Sequence, residues 1–267
     1  MLITEILAQN AETYGDKIAL VERIPAKNIR QEITWSQFYQ QACTLANALE
    51  AQGISKSDKV VQLMTNSLDW LPIYFGILYT GAWAVPLNFR FEAEKISLCT
   101  ETAEAKAFIF GEEFIHRMES VKDDLDRHVE TYIFTGPVEN CPAWAVSMED
   151  FTTGHTSAPP TTELNLEDDA ALYFTSGTTG TPKAVRLSHK ALAHACETEN
   201  AHHAQCHEDV FLCIPPPLPH RGQNALDGQL QGRGQMRPAQ RHQTPMDRGS
   251  HFPGKMHHCL AFGPLDP

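Results

Sequence analysis

The sequence predicts an α/β protein built on a mostly parallel sheet with helices on both faces. Strand-length apolar runs alternate with helix-length segments along residues 1–216, the rhythm of successive β-α-β units. Those runs are close to uninterrupted, as strands buried on both faces are. A hydrophobic content of 42% over 267 residues suffices for a packed core, in one large domain or two small ones.

The elements follow in order. ITWSQFYQQACTLANALEAQG (33–53) reads as a short strand, then a capping box of Thr34 with Gln37, then an amphipathic helix closed by Gly53. KVVQLM (59–64) is a buried strand. SLDWLPIYFGILYTG (67–81) is a helix and WAVPLN (83–88) a strand. FEAEKISLCTETA (91–103), AKAFIF (105–110), FIHRMESVKDDLDRHV (114–129) and ETYIF (130–134) continue the alternation as helix, strand, helix and strand. Residues 137–169, rich in Pro, Thr and acids, read as a surface excursion. AALYFT (170–175), AVRLS (184–188) and VFLCI (210–214) are strands again.

Residues 70–87 carry no charge over 18 positions, close to the minimum for a membrane span. Pro72, Gly76, Gly81 and Pro86 punctuate the stretch, so a buried helix ending at Gly81 and followed by a strand is the better reading. It leaves peripheral membrane contact open. A formal charge of -12 argues against a nucleic-acid binder, which needs a basic face for phosphates. Seven cysteines without a C-x-x-C pair do not make a secreted disulfide framework. MLITEILAQN lacks the basic and long apolar regions of a signal peptide, so a reducing cytoplasm is expected.

The chemistry begins where strand AALYFT enters SGTTGTPK. Within Thr175 to Lys183 stand four Ser/Thr hydroxyls after Thr175, two glycines and one lysine. Glycines let the backbone approach a ligand with its N–H groups turned inward, hydroxyls donate to phosphate oxygens, and the lysine adds a compact positive charge. Such a strand-to-loop site is a phosphate cradle. The competing reading is a plain Ser/Thr/Gly hairpin turn. A Walker loop is disfavoured, because G-K-[ST] is missing and a strand follows instead of a helix. HHAQCHE (202–208) gathers His202, His203, Cys206 and His207, and His203 and His207 would share a helical face. With no second ligand group nearby, a polar helix end leading into strand VFLCI fits better than a metal site.

The full string YFTSGTTGTPKAVRLSH (173–189) resembles the phosphate-loop signature of the adenylate-forming superfamily, which includes acyl-CoA synthetases, luciferases and the adenylation domains of peptide synthetases. Residues 32–96 and LNLEDDAALYFTSGTTGTPK are similar to the same family, and the resemblance covers residues 1–216. Ala184 stands where the family usually has glycine. The resemblance implies the N-terminal part of the family's large domain. It implies a two-step ligase: a carboxylic acid and ATP form an acyl-adenylate, and the acyl group then passes to coenzyme A or to a carrier-protein thiol. It also implies that Thr175, Ser176, Gly177, Thr178, Thr179, Gly180 and Lys183 hold the β- and γ-phosphates, with Thr175 a contact near Mg2+. The family's later Tyr-Gly-x-Thr-Glu motif, its ribose aspartate and its C-terminal lysine have no match here, so no catalytic residue is assigned. A non-catalytic nucleotide-binding remnant or interaction module is the alternative.

Residues 217–267 differ in kind. They hold no Val, Ile, Tyr, Trp or Glu, and carry 7 Gly and 7 Pro among 51 residues, with Thr244 the lone β-branched side chain. Six Lys+Arg stand against three Asp+Glu there, leaving -15 for residues 1–216. Such a segment buries too little apolar area to offset about 1–2 kcal/mol per residue of backbone ordering, and is expected to form no packed structure. Back-translated with chosen silent bases and read one base late, it can give LYHTG at 217–221, an amphipathic helix PRWIVEAISREK and an apolar strand CTIVWLLV. The tail is therefore expected to be out of frame from about codon 217.

Overall fold

Helix α1 (Ile3–Tyr14) precedes a hairpin of β1 (Ile18–Ile24) and β2 (Ile29–Thr34), and α2 (Trp35–Ala51) follows at once. Then β3 (Lys59–Leu63), α3 (Trp70–Tyr79), β4 (Trp83–Pro86), α4 (Ala93–Ala103) and β5 (Ala107–Phe110) alternate. They continue into α5 (Ile115–Ser120), α6 (Lys122–Leu125), β6 (Thr131–Phe134), β7 (Val146–Ser147) and α7 (Met148–Thr152). The chain closes with β8 (Asp169–Thr175), β9 (Lys183–Ser188), α8 (His189–His203), β10 (Phe211–Cys213) and β11 (Cys259–Phe262). This computed structural model describes residues 1–24, 28–175, 182–203, 211–213 and 259–262, and only the backbone of His203 and of the last two spans.

The α/β expectation holds. Seven strands form one sheet in the order β7-β6-β5-β3-β4-β8-β9, parallel throughout except for β9, which runs antiparallel on β8 at the edge. Period-two alternation splits each strand between two cores. Val60 and Ile109 join α1, α2, α3 and α8 on one face; Val61, Phe108 and Phe110 join α4, α5 and α6 on the other. Each fully buried Leu, Ile, Val or Phe contributes about 1.5–3 kcal/mol of transfer energy, so both faces stabilise the sheet that carries the expected site.

Helix α3 explains the uncharged stretch. Trp70, Leu71, Ile73, Tyr74, Phe75, Ile77 and Leu78 are all buried, so the helix is apolar all round because it is enclosed all round. Pro72 falls in its first turn, where a missing N–H leaves no bond unmade. Gly81 just after it takes φ +73°, a conformation that favours glycine. Among the described residues, no helix is long and apolar enough to cross a membrane. The capping box of α2 also forms: the Gln37 N–H donates to Thr34 Oγ1 at 3.2 Å, and the Thr34 N–H to Gln37 Oε1 at 2.8 Å.

Three differences from expectation have physical reasons. The helix expected over 114–129 breaks at Val121 (φ -126°), and α6 restarts with Asp123 and Asp124 in its first turn, where acids favour a helix N-terminus. The excursion 137–169 is partly built in, because β7 pairs in parallel with β6 and Phe151 of α7 reaches the first core. The third concerns the tail. Cys259–Phe262 pairs antiparallel with both β1 (Leu20↔Phe262, Arg23↔Cys259) and β10 (Phe211↔Phe262), completing a separate sheet β10-β11-β1-β2. CLAF is the tail's longest uninterrupted apolar run, and the β1 edge offers unpaired amides to such a segment. The other residues of 217–267 lie outside the described residues.

Candidate functional site

The parallel strands β3, β4, β5 and β8 end on the same edge of the sheet, and β8 lies beside β4 with Ala84 opposite Ala171. Loops at the carboxyl ends of parallel strands are where α/β sheets hold their ligands. The SGTTGTP segment leaves from that edge. Its two roots are paired: Thr175, the last residue of β8, stands opposite Lys183, the first of β9, and Thr175 Oγ1 donates to the Lys183 carbonyl at 3.5 Å. Directly opposed residues send their side chains to one face, so hydroxyl and ammonium flank the same mouth. Ser176, Gly177, Thr178, Thr179 and Gly180 lie outside the described residues.

Charge is graded along the hairpin. Arg186 is paired with Asp169 at 3.3 Å and Lys190 with Glu167 at 2.7 Å, both toward the far end. Lys183 is exposed and makes no ion pair among the described residues, so its ammonium is free for an anion at the loop. An ammonium and a hydroxyl at the mouth of a loop rich in backbone donors fit a polyphosphate. No cluster of three or more His, Cys, Asp or Glu among the described residues could hold a metal ion. Ala184 lies in β9 opposite Phe174 and is exposed, so its methyl group meets no obstacle.

Two features behind the loop were not foreseen. Tyr173, two residues before Thr175, meets Tyr74 of α3, hydroxyl to hydroxyl, at 3.0 Å inside the core. At the other end of the hairpin His189 opens α8 fully buried, its backbone N–H donating to the Asp168 carbonyl at 2.9 Å. Neither ring nitrogen of His189 has a hydrogen-bond partner among the described residues. Burial holds its imidazole down at about 4, against an opposing pull from Asp168 and with some help from Lys56. Its place in the LSH end of the signature was the one sequence signal. Of the cluster at 202–208, His202 and His203 end α8, while Cys206 and His207 lie outside the described residues. Cys43, Cys99, Cys141 and Cys196 are free thiols.

The family model described as AMP-binding enzyme matches residues 7–222. The chain belongs to that family. Residues 7–222 correspond to the N-terminal part of an adenylate-forming enzyme. The crotonobetaine/carnitine–CoA ligase of Citrobacter koseri is 30% identical over 210 residues, 77% of this chain and 40% of the relative. The long-chain-fatty-acid–CoA ligase FadD13 of Mycobacterium tuberculosis is 28% identical over 217 residues, 80% of this chain and 40% of the relative. The crystal structure of the anthranilate CoA ligase AuaEII in complex with anthranoyl-AMP superposes with a TM-score of 0.66 at 26% identity, over 74% of this chain and 36% of that one. A putative long-chain-fatty-acid CoA ligase from Rhodopseudomonas palustris gives 0.75 at 18% identity, over 87% of this chain and 56% of that one, a likeness of fold alone. This member of the AMP-binding family thus spans about 40% of the length of the curated relatives it matches.

Proposed function

We propose that this chain carries the phosphate-holding part of an AMP-forming acid–thiol ligase, and that the out-of-frame tail leaves it inactive as a ligase on its own. The observation that carries the reading is the pairing of Thr175 with Lys183, which is exposed and makes no ion pair among the described residues, across the root of the SGTTGTP loop at the carboxyl edge of the sheet. In the reaction a carboxylate oxygen attacks the α-phosphorus of ATP, the bond to the bridging oxygen breaks, and pyrophosphate leaves with the electron pair. A thiol sulfur of coenzyme A then attacks the acyl carbon, and AMP departs. Preorganised donors aimed at the departing phosphates stabilise the charge that pyrophosphate gains. Thr175, Ser176, Gly177, Thr178, Thr179, Gly180 and Lys183 would be those donors, and Mg2+ near Thr175 would neutralise part of the same charge. The names of the relatives favour coenzyme A over a carrier protein as acceptor, and a small-molecule carboxylic acid as substrate.

ATP–pyrophosphate exchange with a panel of carboxylic acids tests this on two proteins, the chain as written and a frame-restored version. The restored enzyme should exchange and the present chain should not. In the restored enzyme Lys183→Ala should lower exchange about ten- to a hundredfold, the loss of one charge-assisted contact of about 1.5–3 kcal/mol, with little change in melting temperature. Wild-type exchange in that variant removes Lys183 from the site. Binding of ATP without exchange in the restored protein would favour the second reading, a non-catalytic nucleotide-binding module.

A further inference from the structure

We infer that Tyr74 is a positioning residue for the nucleotide loop, fixing strand β8 through its hydroxyl bond to Tyr173; the inference rests on the phosphate-loop reading of residues 175–183. The two phenol oxygens lie 3.0 Å apart, and the side chains are 0% and 2% exposed. Tyr173 is two residues before Thr175, so strand alternation sends both side chains to the face that α3 covers. At about 3.3 Å per residue the anchored position is roughly 7 Å from the loop root. Tyr74 itself cannot swing away. Its ring stacks on Trp70 at 5.5 Å and 16° and meets Phe75 edge-on at 6.1 Å.

The bond differs in kind from the contacts around it. Apolar packing holds α3 against the sheet but is non-directional, so it resists separation more than sliding. A hydrogen bond fixes the oxygens in distance and direction. Backbone pairing with β4 and β9 fixes β8 within the sheet, and the phenol bond fixes that part of the sheet against α3, and therefore where Thr175 and Lys183 stand relative to the helix. Phosphate donors must be held to within about 0.5 Å to act as preorganised charge, which apolar packing of the sheet on α3 does not ensure by itself. α3 also reaches the described structure through a second hydroxyl: Tyr79 donates to the Thr4 carbonyl of α1 at 2.7 Å, far from the loop in the chain path. That pair makes a matched comparison.

The test compares Tyr74→Phe with Tyr79→Phe in the 267-residue chain. Each removes one α3 hydroxyl and keeps the ring. Mg-ATP binding by calorimetry should weaken about five- to tenfold in Tyr74→Phe and stay within about twofold in Tyr79→Phe, although both lose melting temperature to a similar degree. Tyr173→Phe should match Tyr74→Phe, and the double variant should add little to either. Equal ATP affinities in the two α3 variants would overturn the positioning role. A second readout does not depend on nucleotide: backbone amide exchange at Thr175 and Lys183 should quicken in Tyr74→Phe but not in Tyr79→Phe. Unchanged exchange in both overturns the anchoring. A wild-type chain that binds no Mg-ATP, yet shows the exchange difference, would overturn the phosphate-loop reading and leave the anchoring intact.

Discussion

His189 ties the stability of the fold to proton concentration. Its folded pKa of about 4 lies below the ordinary 6.5 of an unfolded chain. Between those values the unfolded state binds more protons than the folded one, so stability is fully present above about pH 6.5 and falls as pH drops toward 4. The shift corresponds to on the order of 3 kcal/mol, and urea melts at pH 7.5 and pH 4.5 should differ by about that amount. His189→Leu should flatten this part of the profile; an unchanged slope would place the titrating group elsewhere. The carboxylates of Asp126 and Asp168 act below that window, because the Lys122 and Lys56 ammoniums hold them under the ordinary carboxylate range. At this scale the sequence showed what is local. Thr175 and Lys183 come from a contiguous motif, and the structure describes their pairing while residues 176–181 between them lie outside the described residues. The Tyr74–Tyr173 bond joins positions 99 residues apart, and no periodicity or spacing in either segment announces it. His189 was visible as the end of a signature, but its burial was not.

Elements were legible where a helix or strand carries its own start and stop signals. The capping box at Thr34, Gly53 after α2 and Gly81 after α3 each stood at the expected place. Thr34→Ala should cost about 1 kcal/mol in equilibrium unfolding, since it removes the acceptor for the Gln37 N–H. Helix α1 and the β1–β2 hairpin were not read, for a tertiary reason. α1 hides Ile3, Ile6 and Leu7 against elements far along the chain, while β2 is exposed at four of its six positions. α5 and α6 were read as one helix because the apolar pattern of Met118 and Leu125 passes unbroken through the kink at Val121. Packing between elements yields a sharper prediction. A Cβ on Gly76 of α3 would sit 3.0 Å from the Ala42 carbonyl oxygen and 3.0 Å from Leu45 Cδ2 of α2. Alanine improves helix propensity by about 1 kcal/mol, but overpacking against a backbone oxygen costs about 1–3 kcal/mol, and a backbone atom cannot turn aside as a side chain can. Gly76→Ala should therefore unfold at lower urea than wild type, and Gly76→Val lower still. Stabilisation by Gly76→Ala would mean that α2 and α3 are free to part.

The whole molecule poses the question of the tail. Family resemblance runs to residue 222, and the composition changes at residue 217. An abrupt loss of Val, Ile, Tyr, Trp and Glu is what an overlapping frame produces, because codons shifted by one base no longer follow the periodicity of a sheet. The structure adds a positional argument. One base late, codons 256–263 can encode CTIVWLLV, an apolar run of strand length. Cys259–Phe262 falls within that span and lies between β1 and β10. On the out-of-frame expectation, CLAF fills a slot between β1 and β10 that a longer in-frame strand would take. The gene should therefore carry a cytosine-rich run at codons 215–217, where three prolines stand in a row, and removal of one base should open a long frame. That frame should supply, in order, a Tyr-Gly-x-Thr-Glu motif, an aspartate for the ribose and a C-terminal lysine. The restored protein should also be the more soluble of the two on expression, since its longer strand and following elements cover the edge that β10 leaves open. Sequencing the DNA through codon 217 decides the matter before any protein is made: stop codons within a few dozen triplets of the shifted frame would leave the tail as the chain's own sequence and the slot filled by CLAF alone.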